Sequence, residues 1–485
     1  MLETLGQINT AVNNFVWGVP AMSIIIGVGL LLTFRTRFLQ FRKFGYAFKV
    51  TVGKIFHKSE SEHGAITPFQ AVCTALAATV GTGNIAGVAG AITIGGPGAI
   101  FWMWMSALLG MCTKFAEVTL AVHFREKNEN GDWVGGPMYY IKNGLGPKWH
   151  WLAVLFSLFG ILAVFGTGNA TQVNTIVTAI NSALLNFHLI KPSFIPTLNL
   201  ILGCVIAIVV ALILIGGIQR IGQVTEKLVP GMALLYLGLS LGVIIINYKA
   251  IPGVFHQIFT CAFSPSAMTG GIIGSMFLGM KKGISRGIFS NEAGMGTASI
   301  AHAAADTKSP VDQGFFGVFE VFTTSMIICT MTALVILCSG IPVPYGVEAG
   351  AELTIHGFTS TYGSWVSIFT AVALCCFCLL YHHRMGTLRH KMSGILNGNR
   401  IPSSFPHHLF FSRCTWSNHG SWLPLELCRD LQRPHGNTKP DCPYAAFKDC
   451  GKISKTISKL TRIYKDTKRE KSIRNDGFFS FNFSL

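Results

Sequence analysis

Apolar residues run in blocks of the length, about 20 residues, that crosses the hydrocarbon layer of a bilayer as an α-helix. Blocks at 15–34, 68–92, 97–122, 151–184, 197–217, 228–247, 266–280, 312–340 and 362–380 predict nine membrane helices. The first is too long, and too poor in a small-residue cleavage site, for a signal peptide. Arg35, Arg37, Arg42, Lys43, Lys49, Lys54 and Lys58 follow it closely. Loops rich in Lys and Arg stay in the cytoplasm, so this loop is expected inside and the N-terminus outside. Arg125-Glu126-Lys127, the stretch from Gln219-Arg220 to Lys227, and Lys281-Lys282 to Arg286 fall on the same side in an alternating count.

Two blocks are interrupted by glycine. The second reads Ala77-Ala78-Thr79-Val80-Gly81-Thr82-Gly83-Asn84-Ile85-Ala86-Gly87, and the seventh opens Thr269-Gly270-Gly271-Ile272-Ile273-Gly274-Ser275. Each Gly weakens a helix by about 1 kcal/mol against Ala, and unwound backbone at membrane depth is tolerated only inside protein or along a cavity. Broken helices of this kind form midplane sites in transporters: half-helix N-termini offer N–H groups to a carboxylate, and freed carbonyls hold a cation. The interruptions lie five helices apart, opening units at 68–247 and from 266 onward. That spacing is the one an inverted repeat of five plus five helices predicts, although no sequence similarity links the halves.

Composition sharpens the class. Half of the 485 residues are hydrophobic and 12% charged, with 36 Phe and 53 Gly, which excludes an ordinary soluble protein and a secreted disulfide scaffold. The net charge of +17 would suit a nucleic-acid binder, but +11 of it belongs to Tyr381–Leu485. The charge is a property of the tail, and no nucleic-acid partner is expected. Gly81-Thr82-Gly83-Asn84-Ile85-Ala86 also fits a loose dinucleotide fingerprint, which would need a preceding strand and an acidic residue about 20 positions on. Helix-packing glycines are the plainer reading; Asn84 between glycines in an apolar helix argues for a site. Glu117 and Glu320 lie within helices, where a carboxylate is costly and marks either function or a structural ion pair. No cluster of His, Asp or Cys in 1–367 suggests an enzyme. An amino-acid-gated sensor or channel would keep the broken helices and differ only in lacking flux against a gradient.

Gly95-Gly96-Pro97-Gly98-Ala99-Ile100-Phe101-Trp102-Met103-Trp104-Met105-Ser106-Ala107-Leu108-Leu109-Gly110 reads as a hairpin with an interfacial aromatic anchor. It also resembles the signature of the sodium:alanine (alanine or glycine:cation) symporter family. Ser290-Asn291-Glu292-Ala293-Gly294-Met295-Gly296 with Ala301-His302-Ala303 resembles a second block of that family, and Gly135-Gly136-Pro137-Met138-Tyr139-Tyr140-Ile141 is similar to a further one. The likeness covers 1–367. It implies an all-α polytopic membrane protein with a leucine-transporter type 5+5 inverted repeat plus one extra N-terminal helix. The implied activity is symport of alanine or glycine with Na+ or H+ across the plasma (inner) membrane, with no cofactor. Carried over, the resemblance puts the substrate carboxylate at Gly81, Thr82 and Gly83 beside Asn84, and the cation at the carbonyls of Ala77 and Val80. Gln172, in Gly166-Thr167-Gly168-Asn169-Ala170-Thr171-Gln172 with Asn174 nearby, is expected to touch substrate, and Gly271, Ile272 and Ile273 to bound its side chain. The resemblance implies an Asp in many members of that family where this chain has Thr324, a departure that weakens the case for that helix in ion coupling.

Near Cys375 the sequence changes character. Tyr381 to Leu485 has no apolar run long enough to cross a bilayer and holds 7 of the 15 His. Cys414, His419, Cys428, His435, Cys442 and Cys450 form no recognised zinc spacing. Back-translated with one choice of synonymous codons and read one nucleotide later, Leu380–Asp430 and Gln432–Ala446 both yield apolar, membrane-like stretches. The organisation expected is therefore a transporter domain at 1–375, a frameshifted region at 376–450 replacing the last membrane helices, and a basic cytoplasmic tail at 451–485, and the alternative to a working symporter is a non-functional frameshifted copy of one.

Overall fold

The structure is a computed structural model that describes residues 7, 18–55, 66–128, 131–165, 171–187, 189–214, 217–263, 276–347 and 349–373. Helix α1 (Val19–Arg35) matches the first apolar block. The basic stretch after it, expected as a plain loop, instead contains helix α2 (Phe44–Ile55). It folds because its aromatic face has a partner: Phe44, Tyr46 and Phe48 make edge-to-face contacts with Phe322, Phe315 and Phe319, at 4.6, 5.0 and 5.9 Å between ring centres. Tyr46 also donates to Asp312 Oδ1 at 2.9 Å.

The second block forms two helices, as its glycines predict. Helix α3 (Pro68–Thr79) opens on a capping box: Thr67 Oγ1 accepts from the Gln70 N–H and Gln70 Oε1 accepts from the Thr67 N–H, each at 3.1 Å. Helix α4 (Thr82–Gly95) resumes after two extended residues. Gly96, at φ 72°, turns the chain into helix α5 (Ala99–His123), 25 residues long. The aromatic cluster there is anchored on protein: Trp102 Nε1 donates to the Ala262 carbonyl at 3.2 Å, and Trp104 Nε1 to Thr330 Oγ1 at 2.8 Å.

After α5, strands β1 (Glu126–Lys127) and β2 (Trp133–Val134) pair antiparallel. Arg125 stacks over Trp133 at 4.0 Å and donates to the carbonyls of Ala303, Ala305 and Thr307. Burial lowers its guanidinium pKa, and the charge of Asp306 opposes that shift. Helix α6 (Pro137–Leu145) follows.

The block at 151–184, expected as one element, contains two helices, α7 (His150–Phe165) and α8 (Thr171–Asn186). Helices α9 (Ile195–Leu214) and α10 (Gly217–Ile246) agree with the next two blocks, α10 beginning well before the expected 228. Helix α11 (Ile251–Phe263) is not foreseen by the apolar blocks. Helix α12 runs Met276–Asn291, so the described part of the seventh element lies further along the chain than the predicted 266–280. Helix α13 (Thr297–His302) is short, and Ile66 bridges in parallel to Ala305 just beyond it.

The block at 312–340 becomes a continuous rod: α14 (Pro310–Val321), a π-helical segment at Phe322–Ile328, and α15 (Cys329–Cys338). Helix α16 (Ala351–Tyr362) is a further element the apolar blocks do not predict, and it ends where the ninth was expected to start. Gly363, at φ 82°, turns the chain there. The nine predicted helices thus undercount the described ones. Among the described residues, Ala99–His123, Val229–Ile246 and Pro310–Cys338 are long and apolar enough to cross a membrane.

Close helix contacts hold the centre. A Cβ at Gly287 would lie 3.0 Å from the Ser106 side chain, and one at Gly317 would lie 2.9 Å from Lys114 Cγ. Small residues let helices approach to backbone distance, which supports association where hydrophobic burial is weak. Helix α5 is therefore flanked by α12 on one side and α14 on another.

Candidate helix-break site and buried charge network

At the break, Val80 is extended (φ −91°, ψ 107°) and Gly81 continues so at φ −179°. The carbonyl end of α3 and the N–H end of α4 meet here, one carrying partial negative and the other partial positive charge. Asn84, fully buried, splints the opening. Its Oδ1 accepts the Gly81 N–H at 3.1 Å, and its Nδ2 donates to the Thr324 carbonyl at 3.0 Å and approaches Cys329 Sγ at 3.5 Å. Thr324 lies in the π segment, where the looser turn presents its carbonyl sideways to α4. Cys329 Sγ also meets Ser290 Oγ at 3.0 Å, which ties α12 to the same point.

The expected site residues are placed unequally. Gly81, Thr82, Gly83 and Asn84 lie together, all buried, at the break. At Gly83 a Cβ would stand 3.1 Å from Ser290 Cα, so this glycine admits the α12 backbone. Ala77 lies in the last turn of α3. The Val80 side chain enters an apolar cluster with Ile85, Ala179, Tyr236 and Val335. Gln172 is in the first turn of α8, with its side chain outside the described residues, and Asn174 is exposed. Gly271, Ile272 and Ile273 lie outside the described residues.

A second polar group lies one turn along the rod. Glu320, fully buried, accepts from Lys114 Nζ at 3.4 Å on one oxygen and meets His302 Nε2 at 3.1 Å on the other. Gln313 Nε2 stands 2.8 Å from His302 Nδ1. Glu117, one turn from Lys114 on α5, interacts electrostatically with Lys114 and Glu320 and lies against the backbone amides of Gly294 and Gly296. Of these, the sequence singled out the two glutamates, marked His302 only as part of a family block, and left Lys114 and Gln313 unmarked. A lysine three residues before a glutamate inside an apolar helix was the available signal. The two groups are joined: Thr324 Oγ1 donates to the Glu320 carbonyl at 2.9 Å. Among the described residues no set of three His, Cys, Asp or Glu could hold a metal ion.

A helix interrupted at a buried polar centre, within a bundle of apolar helices, is an arrangement found in membrane transporters of small solutes. Residues 2–387 match the sodium:alanine symporter family, and the chain belongs to that family. It is 43% identical over 364 residues to an "Uncharacterized transporter" of Haemophilus influenzae, covering 74% of this chain and 76% of that protein. It is 42% identical over 361 residues to the "Sodium/alanine symporter AgcS" of Methanococcus maripaludis, covering 74% and 76%. It is also 38% identical over 380 residues to the "Probable sodium/glutamine symporter GlnT" of Bacillus subtilis, covering 78% and 74%. The protein is a sodium/amino-acid symporter of the membrane and not an enzyme.

The splint at the break is open to test. Asn84→Ala removes the partner of the Gly81 N–H and one of two donors to the Thr324 carbonyl, which keeps the Cys329 N–H, and a buried group left unpaired costs about 1–3 kcal/mol. Denaturation by SDS titration in mixed micelles is expected to show a loss in that range. A loss indistinguishable from zero would mean the Asn84 bonds do not hold the break.

Proposed function

We propose that this symporter, with its last membrane helices in frame, couples downhill Na+ influx across the plasma (inner) membrane to uptake of alanine or glycine by alternating access. The observation that supports this reading is the break at Val80–Gly81, where two half-helix ends of opposite polarity meet. In this reading the N–H groups of Gly81, Thr82 and Gly83 take the substrate carboxylate, and the carbonyls of Ala77 and Val80 take the ion. Asn84 holds the opening, while Gln172, Gly271, Ile272 and Ile273 bound the small side chain. Na+ and substrate favour each other because they share the backbone of one interruption. The name of the Methanococcus relative favours alanine, and that of the Bacillus relative shows that a larger amide substrate also occurs at this similarity. The N-terminus is outside and the basic tail cytoplasmic.

A second reading concerns residues 376–450, which we infer to be frameshifted relative to the ancestral symporter. The family match ends at residue 387 of 485, close to where the sequence changes character. The test is to resequence the codons for Thr361–Lys471 and to compare uptake of labelled alanine by the printed chain and by a frame-restored one. Na+-dependent uptake against a gradient is expected from the restored chain alone. Robust uptake by the printed chain would overturn the frameshift reading. Equilibration without accumulation by the restored chain would make it a channel and overturn symport.

A further inference from the structure

Helix-break chemistry leaves the buried charged group on α5, α13 and α14 without a use. Four of its members, Lys114, His302, Gln313 and Glu320, are completely inaccessible to solvent. Glu320 bridges Lys114 and His302 with its two oxygens, and Gln313 faces the other His302 nitrogen. With Gln313 Nε2 donating to Nδ1, the ring is neutral and its Nε2–H donates to Glu320. In that arrangement Gln313 Oε1 has no hydrogen-bond partner, and neither does Glu117 Oε2. Buried acceptors left in this way are costly, and here two occur in one cluster.

A half-turn of the Gln313 amide brings Oε1 to Nδ1. That orientation accepts a hydrogen bond from a ring carrying one more proton and satisfies the unpartnered oxygen. Charge bookkeeping points the same way. Two carboxylates, Glu117 and Glu320, and one lysine leave the fully ionised group at −1 with His302 neutral, and at zero with His302 protonated. The other titratable or charged side chains on α3, α5 and α14 are Cys73, Cys112, His123 and Asp312; beside them Glu292 accepts from Thr297 of α13, Tyr140 lies near Glu117, and Arg125 and Asp306 flank the strand pair and α13. Glu320 meets His302 at Nε2 and Gln313 meets it at Nδ1.

We propose that His302 is a proton-binding site: it takes one H+ at Nδ1 as the Gln313 amide turns, with Glu320 and Glu117 as counter-charges. The step forms one N–H bond and raises the cluster charge by one, and it needs no other reactant. Any part this proton plays in transport rests on the symport reading, whereas its binding does not. A merely structural Lys–Glu pair would give Gln313 no control over a titration.

The experiment is NMR on the full chain in lipid nanodiscs, with histidine labelled at Cε1 and no substrate present. The resonance lost in His302→Gln is that of His302. In the wild type it is expected to titrate as one transition between pH 5 and 9. Gln313→Glu, which can only accept from Nδ1 and adds a negative charge, is expected to raise the midpoint by about 1 pH unit or more. Gln313→Leu, which removes the acceptor, is expected to lower it. A His302 resonance that stays unchanged over this range, or midpoints equal in all three proteins, would overturn the proposal. Because no substrate enters the measurement, failure of the symport reading leaves its outcome intact.

Discussion

Lys114→Met and Glu320→Gln are each expected to destabilise the protein by about 3–5 kcal/mol, the loss that follows removal of one member of a buried ion pair. Both side chains have no exposure to solvent, so neither charge can turn to water when its partner goes. Glu320→Gln is expected at the lower end, because Glu117 remains one turn away to face Lys114. The double variant is expected to cost less than either single one: a glutamine at 320 still offers His302 a hydrogen bond, and a methionine at 114 leaves no charge behind. SDS titrations of the three variants close the cycle. Strictly additive losses would mean that the two charges do not interact and that the 3.4 Å contact contributes nothing.

Gly283→Ala is expected to be the most damaging single-methyl change on α12. Its Cβ would be driven into the Ala99 carbonyl oxygen and would also lie 2.7 Å from Trp102 Cβ, with backbone on one side that cannot swing away. Overpacking of this kind costs about 1–3 kcal/mol and sometimes more, and here it would push α12 off α5. Gly287→Ala should cost less, since it meets the Ser106 side chain at 3.0 Å. Gly253→Ala, with nothing within 4 Å, should be neutral or stabilising, because alanine narrows the unfolded ensemble. Thermal unfolding of the three variants checks the order. Equal effects would show that the α12–α5 approach is not set by the missing side chain.

The break was legible because it is local. Gly81, Thr82 and Gly83 stand in one apolar run, and helix propensity and membrane depth act on that run alone. Asn84 was legible as a polar residue in the wrong place, but its partner Thr324 is 240 residues away and no periodicity announces it. Lys114 was missed for the same reason, its carboxylate being 206 residues distant. Helix α11 escaped because Pro252 and Gly253 disguise a short amphipathic stretch whose Phe255 and Phe259 exist to meet Trp104. The run at 151–184 misled in the other direction: uniform apolarity fixes how much chain is in the membrane and says nothing about where one helix yields to the next. Gln172, Gly271, Ile272 and Ile273 gain nothing further from the described residues.

The π segment at Phe322–Ile328 is an α-helix with one residue too many, so the rod carries a phase slip of about 100°. Glu320 before it and Thr332 after it are both completely buried, the one bonded to Lys114 and the other to Tyr236 at 2.7 Å. Without the surplus residue those two side chains could not keep their present bearings on a single straight axis. If the slip moved along the rod, one half would screw past the other by about 1.5 Å while every turn stayed hydrogen-bonded. The rod is thus threaded like a bolt, and the thread runs between the charged group at one end and the splint of the broken helix at the other.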